Sequence, residues 1–267
     1  MTDLELALTL AAEAAIAING IYAHDFAVET KADGSPVTLA DRTADALIRA
    51  GLARHRPGDA VLTEESTFTA GVGSRLWLVD PLDGTADFAD RTGDFAVMIG
   101  LCVDGEPVLG VVAAPALDRT FAGVVGEGAF ELVAGERRPL HIAPAHQPPR
   151  VLVSRKHPPR GDLAALFEAL GGATHLPRGS VGVKCGLLAA GEADLYLHPT
   201  RGTWLWDCAA PQAIIEAAGG RFTRPDGSRI PYDLNELQNP AGVLVAGPAL
   251  HTEVCTRLAA RTEFTAV

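Results

Sequence analysis

Residues 95–132, FAVMIGLCVDGEPVLGVVAAPALDRTFAGVVGEGAFEL, form one apolar run after another, broken at Asp104-Gly105, Pro115 and Gly126. Short runs rich in Val, Ile and Phe and bounded by Gly or Pro read as strands, and tight turns between them make neighbours antiparallel. A sheet of this kind must cover its apolar face with another layer. Helices are available on both sides in sequence. Leu8, Ala11, Ala15, Ile18 and Tyr22 recur at helical spacing, and a second helix is expected from about Thr38 to about Arg54, closed by Pro57-Gly58. AVLTEES and LWLVD read as two further strands. Beyond the proline-rich connector APAHQPPR, strands and helices alternate: RVLVSR, DLAALFEALGG, VGVKCGLLAAGEADLYL, then the helix WDCAAPQAIIEAAGG with its Gly-Gly stop, and a closing AGVLVAG. The expectation is a layered α/β protein. An α+β half spans residues 1–145 and an α/β half residues 146–267, with the site where they meet.

The formal charge is −11 with no long basic run, which argues against a nucleic-acid polymer or an anionic membrane as partner. An anionic small substrate would need positive charge supplied locally. Cys102, Cys185, Cys208 and Cys255 are scattered without a paired spacing, so they read as reduced thiols of a cytoplasmic protein rather than a zinc site or disulfide framework. The first basic residue is Lys31, so the positive start of a signal peptide is missing. The alanine-rich first helix, interrupted by Glu13, reads as packed rather than membrane-spanning.

LVDPLDGTADF, residues 78–88, places Asp80 and Asp83 at the mouth of an apolar strand and turns on Gly84. From the residues alone this is either an acidic turn or a cation and phosphate site. In the second case Asp80 bridges two hard cations, Pro81 helps to turn the Leu82 carbonyl outward, Asp83 takes the second ion, and the N–H groups after Gly84 cradle phosphate. Glu64 and Glu65 are a surface pair or part of the same shell. Thr38 and Asp41 have the spacing of a capping box; the alternative, compatible with it, is that Asp41 orients Thr85 and thereby the attacking water. Asp207 reads as an N-cap with Pro211 in the first helical turn, or as a further cation ligand. Lys184 is either solvated or forms an anion site with Ser180, Gly182 and a helix N-terminus. The histidines show no ligand spacing.

Taken together, KADGSPVTLAD, EES, WLVDPLDGT, GSVGVK and WDCAAPQAIIEAAGG resemble the inositol monophosphatase superfamily of metal-dependent, lithium-sensitive phosphatases, over residues 31–220. That resemblance implies the α-β-α-β-α sandwich shared with fructose-1,6-bisphosphatase. It implies two or three Mg2+ ions: Glu64, Asp80 and the Leu82 carbonyl at the first, Asp80, Asp83 and Asp207 at the second, and a weaker ion near Glu64. Thr85 with Asp41 would activate water beside Glu64, and the Gly84 and Thr85 N–H groups would contact phosphate. DGSPVTLAD, FADRTGDFAVMIGL and PVLGVVAAP are similar to the 3′(2′),5′-bisphosphate nucleotidase branch of sulfur assimilation, whereas Ala86 departs from the lysine that bacterial members often carry.

The resemblance implies a monomeric or homodimeric enzyme that removes the 3′-phosphate of 3′-phosphoadenosine 5′-phosphate, with Gly84, Thr85, Ser180, Lys184 and Asp207 meeting the substrate. Lys184 would read the second phosphate, and Trp204 and Trp206 either offer a face to adenine or pack in the core. The alternatives are an inositol-1-monophosphatase or histidinol-phosphatase with the same site, and a non-catalytic regulatory protein on the same scaffold.

Overall fold

The computed structural model describes residues 1–155 and 159–260. Helix α1 (Asp3–Tyr22) leads to a small antiparallel pair, β1 (Val28–Thr30) and β2 (Pro36–Thr38), and then to α2 (Leu39–His55). A seven-stranded sheet follows in simple order: β3 (Ala60–Thr63), β4 (Arg75–Asp83), β5 (Ala96–Val103), β6 (Glu106–Ala114), β7 (Arg119–Val124), β8 (Gly128–Val133) and β9 (Glu136–Leu140). The short helix α3 (Thr85–Ala89) sits between β4 and β5. Only the β3–β4 pairing in this sheet is parallel; the rest is the antiparallel meander expected from residues 95–132.

After the connector come β10 (Arg150–Ser154), α4 (Gly161–Ala169), β11 (Thr174–Arg178), α5 (Val181–Ala189) and β12 (Leu195–His198). They are followed by β13 (Thr203–Trp204), α6 (Leu205–Ala217), β14 (Arg221–Thr223), β15 (Gln238–Asn239), β16 (Val243–Ala246) and α7 (Pro248–Ala259). β10, β11, β12, β14 and β16 form a mixed five-stranded sheet, while β13 pairs with β15.

Strand periodicity sorts the core into layers. On β4, Trp77 and Val79 join α1 and α2 in one cluster, while Leu76 and Leu78 point the other way, toward α5 and α6. The five-stranded sheet covers the far side of α5 and α6 with Leu152, Tyr196, Val243 and Val245, and its opposite face carries α4 and α7. The protein is therefore an α-β-α-β-α sandwich. Its central helical layer comes from the second half of the chain and packs on the sheet of the first.

How deeply α6 sits is set by glycine. Gly100, Gly110 and Gly123 are mutual register partners across β5, β6 and β7. A Cβ at Gly110 would lie 2.1 Å from the Ala210 carbonyl oxygen, and one at Gly100 would lie 2.7 Å from the Ala210 nitrogen. The helix backbone is pressed directly on this stripe, and α6 carries Asp207.

Two local expectations change. The buried face of α1 is Leu6, Ala7, Leu10, Ala11, Ala14 and Ile18, with Leu8, Ala15 and Tyr22 at its flank. By length and composition α1 could cross a membrane, but here its apolar face is buried against α2 and the large sheet. Secondly, α6 starts earlier than expected, at Leu205 with Trp204 as N-cap. Asp207 is consequently inside the first turn rather than at the cap, and Pro211 lies beyond the first turn. Lacking an N–H, Pro211 leaves the carbonyl of Asp207 without its helical partner.

Candidate active site

In a regular strand, residues three apart face opposite sides, so Asp80 and Asp83 would be separated by the sheet. A β-bulge prevents this. Asp80 pairs with Met98 and Asp83 with Ala96, so three steps on β4 match two on β5. Both partners lie on the face toward α5 and α6, and the bulge returns both carboxylates to it. Pro81, with no N–H, sits in the bulge, and Leu82 donates its N–H to Asp80 Oδ1 at 2.9 Å.

Gly84 then turns the chain at φ +90°. A Cβ there would also stand 2.7 Å from the Asp94 carbonyl oxygen. Gly84→Ala is therefore expected to cost roughly 2 kcal/mol or more, from a left-handed conformation plus overpacking. An unfolding midpoint in urea equal to wild type would contradict this.

The turn delivers Thr85 to Asp41, 44 residues earlier. Thr85 Oγ1 lies 2.9 Å from Asp41 Oδ1 and 3.1 Å from the Leu82 carbonyl oxygen, and its single proton serves one or the other. The other oxygen of Asp41 accepts from both the N–H and the hydroxyl of Thr38, each at 2.7 Å. The capping box and the contact with Thr85 thus coexist, one on each carboxylate oxygen.

Asp83 is held from the second half of the chain. Its Oδ2 accepts the Ser180 hydroxyl and the Gly182 N–H, the latter at 2.7 Å. Ser180 also accepts from the Val183 N–H at 3.0 Å. The start of α5 therefore holds an anion of the chain itself, the Asp83 carboxylate. Ser180 adopts φ 53°, ψ 130°, a conformation unfavourable to any residue with a side chain, at a cost of about 1–3 kcal/mol.

Electrostatically the site is loaded with negative charge. Burial pushes the Asp80 carboxyl well above the usual carboxylate range, and Glu64, Asp83 and Asp207 push it further. Asp207, half-buried, is raised by burial and then by Asp83 and Glu64, although the Trp204 N–H donates to it at 2.7 Å. Asp83 is also raised by burial, against the pull of Ser180, Gly182 and Lys184. Among the described residues, no three acidic, histidine or cysteine side chains meet as a ready coordination shell. The donor set is nonetheless all hard oxygen, buried and mutually repelling, which is the chemistry a divalent cation of the magnesium type relieves.

Lys31, to which the sequence reading gave no role in the site, bonds Glu64 Oε1 at 2.7 Å and also Glu65. Burial works against its charge, but these carboxylates more than compensate and raise its pKa. Its one distinguishing mark in the sequence is that it is the first basic residue of an acidic chain.

Beside Asp83 a cleft of about 530 Å³ is lined by Ser180, Lys184, Tyr196, Arg160 and Arg201 among others. Lys184 is only 7% exposed, and its ammonium makes no hydrogen bond or ion pair among the described residues. Its ammonium lies 5.0 Å from the centre of the Tyr196 ring. Burial lowers its pKa, with the charge of Asp83 opposing. Trp204 and Trp206 stack at 5.1 Å with 3° between their planes; Trp206 is in the core and Trp204 is exposed.

A model of the inositol monophosphatase family matches residues 2–263. The chain is 36% identical over 263 residues to a histidinol-phosphatase of Mycobacterium tuberculosis, covering 96% of this chain and 97% of that protein. It is 38% identical over 239 residues to the 3′(2′),5′-bisphosphate nucleotidase CysQ of Salmonella typhimurium, covering 87% of this chain and 95% of that protein. The crystal structure of CysQ from Bacteroides thetaiotaomicron matches with a TM-score of 0.77 at 29% identity, over 92% of this chain and 97% of that one.

Proposed function

Because the chain belongs to the inositol monophosphatase family and is a phosphatase, we propose that its substrate is 3′-phosphoadenosine 5′-phosphate, hydrolysed at the 3′ position to AMP and phosphate. The observation that carries the choice of substrate is Lys184. A buried ammonium that makes no ion pair or hydrogen bond among the described residues is costly unless an anion joins it. It stands in the cleft beside Asp83, with Arg160 and Arg201 on the same lining. A substrate with a second phosphate supplies that anion.

Glu64, Asp80, Asp83, Asp207 and the Leu82 carbonyl would hold Mg2+, which when bound supplies Lewis-acid charge to the phosphoryl and leaving oxygens. The chain's own groups do the rest. The Thr85 hydroxyl, oriented by Asp41, positions water in line with the phosphorus and draws on its proton. The Gly84 and Thr85 N–H groups bind the phosphoryl oxygens as charge builds there. The water oxygen bonds to phosphorus as the phosphorus–oxygen bond to the ribose breaks; of the water's two protons one ends on the ribose oxygen and the other leaves with inorganic phosphate.

Histidinol phosphate is the competing substrate, favoured by the identity to the M. tuberculosis enzyme over nearly the whole chain. Its other functional groups are an amine and an imidazole, neither of them an anion, and an ammonium at Lys184 repels the protonated amine. The test is kcat/KM with magnesium for the bisphosphate nucleotide, inositol 1-phosphate and histidinol phosphate. The nucleotide should lead. Lys184→Met should lower kcat/KM for the nucleotide by about 10–100-fold, the loss of a charge-assisted contact, and leave the monophosphates within a few-fold. A preference for histidinol phosphate, or an equal loss on every substrate, would reject the assignment.

A further inference from the structure

We propose that Asp94 is a positioning residue of this active site: its buried carboxylate holds the Gly179–Ser180 segment, and through the Ser180 hydroxyl it fixes the direction of the Asp83 carboxylate. The inference rests on the reading of Asp83 as a cation ligand. Asp94 lies just before β5 and is 3% exposed. Its Oδ2 accepts the Gly179 N–H at 2.9 Å and the Arg155 Nε–H at 2.8 Å. Arg178, at the end of β11, approaches its other oxygen at 3.9 Å. The segments after β10 and before α5 are thus gathered on one carboxylate from the first half of the chain.

Ser180 is held at positive φ, in a conformation unfavourable to a residue with a side chain. Such a conformation persists only where neighbouring contacts over-determine it. On one side Gly179 is fixed by Asp94; on the other, Ser180 Oγ and the Gly182 N–H are fixed by Asp83. The backbone oxygen of Asp94 also abuts Gly84, which follows Asp83 directly. Asp94 therefore touches the Asp83 turn by its main chain and controls the partner of the Asp83 carboxylate by its side chain. Among the described residues its carboxylate bonds Gly179 and Arg155, and bonds neither Thr85 nor the acids proposed to hold cations.

The test is a magnesium titration followed by thermal stabilisation, which needs no substrate, with phosphatase activity measured in parallel on Asp94→Asn, Ser180→Ala and the double variant. Asp94→Asn should raise the half-saturating magnesium concentration about tenfold in both readouts, as expected when a supporting partner of a ligand is lost. KM at saturating magnesium should stay near wild type. The double variant should be no weaker than Ser180→Ala, because both substitutions break one linkage. Additive losses, or a lower melting temperature with an unchanged magnesium midpoint, would overturn the proposal. If Asp94→Asn fails to fold, Ser180→Ala decides: a wild-type midpoint there overturns it and a raised one supports it. A chain that hydrolyses none of the phosphate esters yet shows these midpoints would refute the proposed function while leaving this inference standing.

Discussion

Asp83→Asn is expected to reduce kcat by about a thousandfold or more at physiological magnesium, because it removes a charged oxygen donor from the centre of the acid cluster. The same substitution should not destabilise the metal-free protein. Asp80, Asp83 and Asp207 are raised by burial and by mutual repulsion. Between their ordinary and raised values the folded chain therefore binds more protons than the unfolded one. Stability falls as pH rises through that window, which opens at the ordinary carboxylate value near ~4. With EDTA present, the wild type should thus melt at progressively lower temperature as pH rises from there toward neutrality. Saturating magnesium should abolish the decline, and Asp83→Asn should weaken it. Calorimetric scans across pH, with EDTA and with magnesium, check each point. A variant that keeps wild-type turnover at limiting magnesium would remove Asp83 from the mechanism.

Thr85→Ala carries the second large effect. Its hydroxyl sits between Asp41 and the Leu82 carbonyl, so its loss leaves the attacking water without the group that orients it. The expected fall in kcat is about 10²–10³-fold, within the range for positioned proton transfer, with KM little changed. Thr85→Ser should recover most of the rate. The cap of α2 uses the other oxygen of Asp41, so Thr85→Ala should keep the stability of that helix; a loss of fold matching the loss of rate would mean that the hydroxyl is structural. Steady-state kinetics and urea unfolding on the same preparations separate the two.

The two roles of Asp41 show how far the sequence reaches. The capping box was legible because Thr38 and Asp41 are three residues apart and helix geometry makes that spacing meaningful. The contact of Asp41 with Thr85 stood only as an alternative beside the cap, since a separation of 44 residues carries no local signature. Asp83 and Gly182, 99 residues apart, are a stronger case. An anion site at the start of α5 was one of two readings of its residues, and the carboxylate held there belongs to the chain itself. For Asp207, the helix was legible but its first turn was not, because Trp204 is an unusual N-cap whose side chain gives no capping signal. Nothing in the spacing of Lys31 or Asp94 assigns either a role in the site; a lone charge is ordinary on a surface and acquires meaning only when folding brings it to another.

For the acids of LVDPLDGTADF the residues alone left an acidic turn or a cation site open, and the resemblance chose between the two. By itself the sequence determined the antiparallel meander, most helix and strand positions and the layered architecture. Those follow from periodicity, turn chemistry and spacing, which act over a few residues. Tertiary structure alone decided which groups share the cavity. The bulge against β5 puts Asp80 and Asp83 on one face. The glycine stripe of β5, β6 and β7 sets how close α6 brings Asp207. Asp83 takes the Ser180 hydroxyl and leaves Lys184 as the buried positive charge of the cleft. Each depends on the register or close approach of elements distant in sequence, where steric fit and the low dielectric of the interior, rather than local preference, select the arrangement.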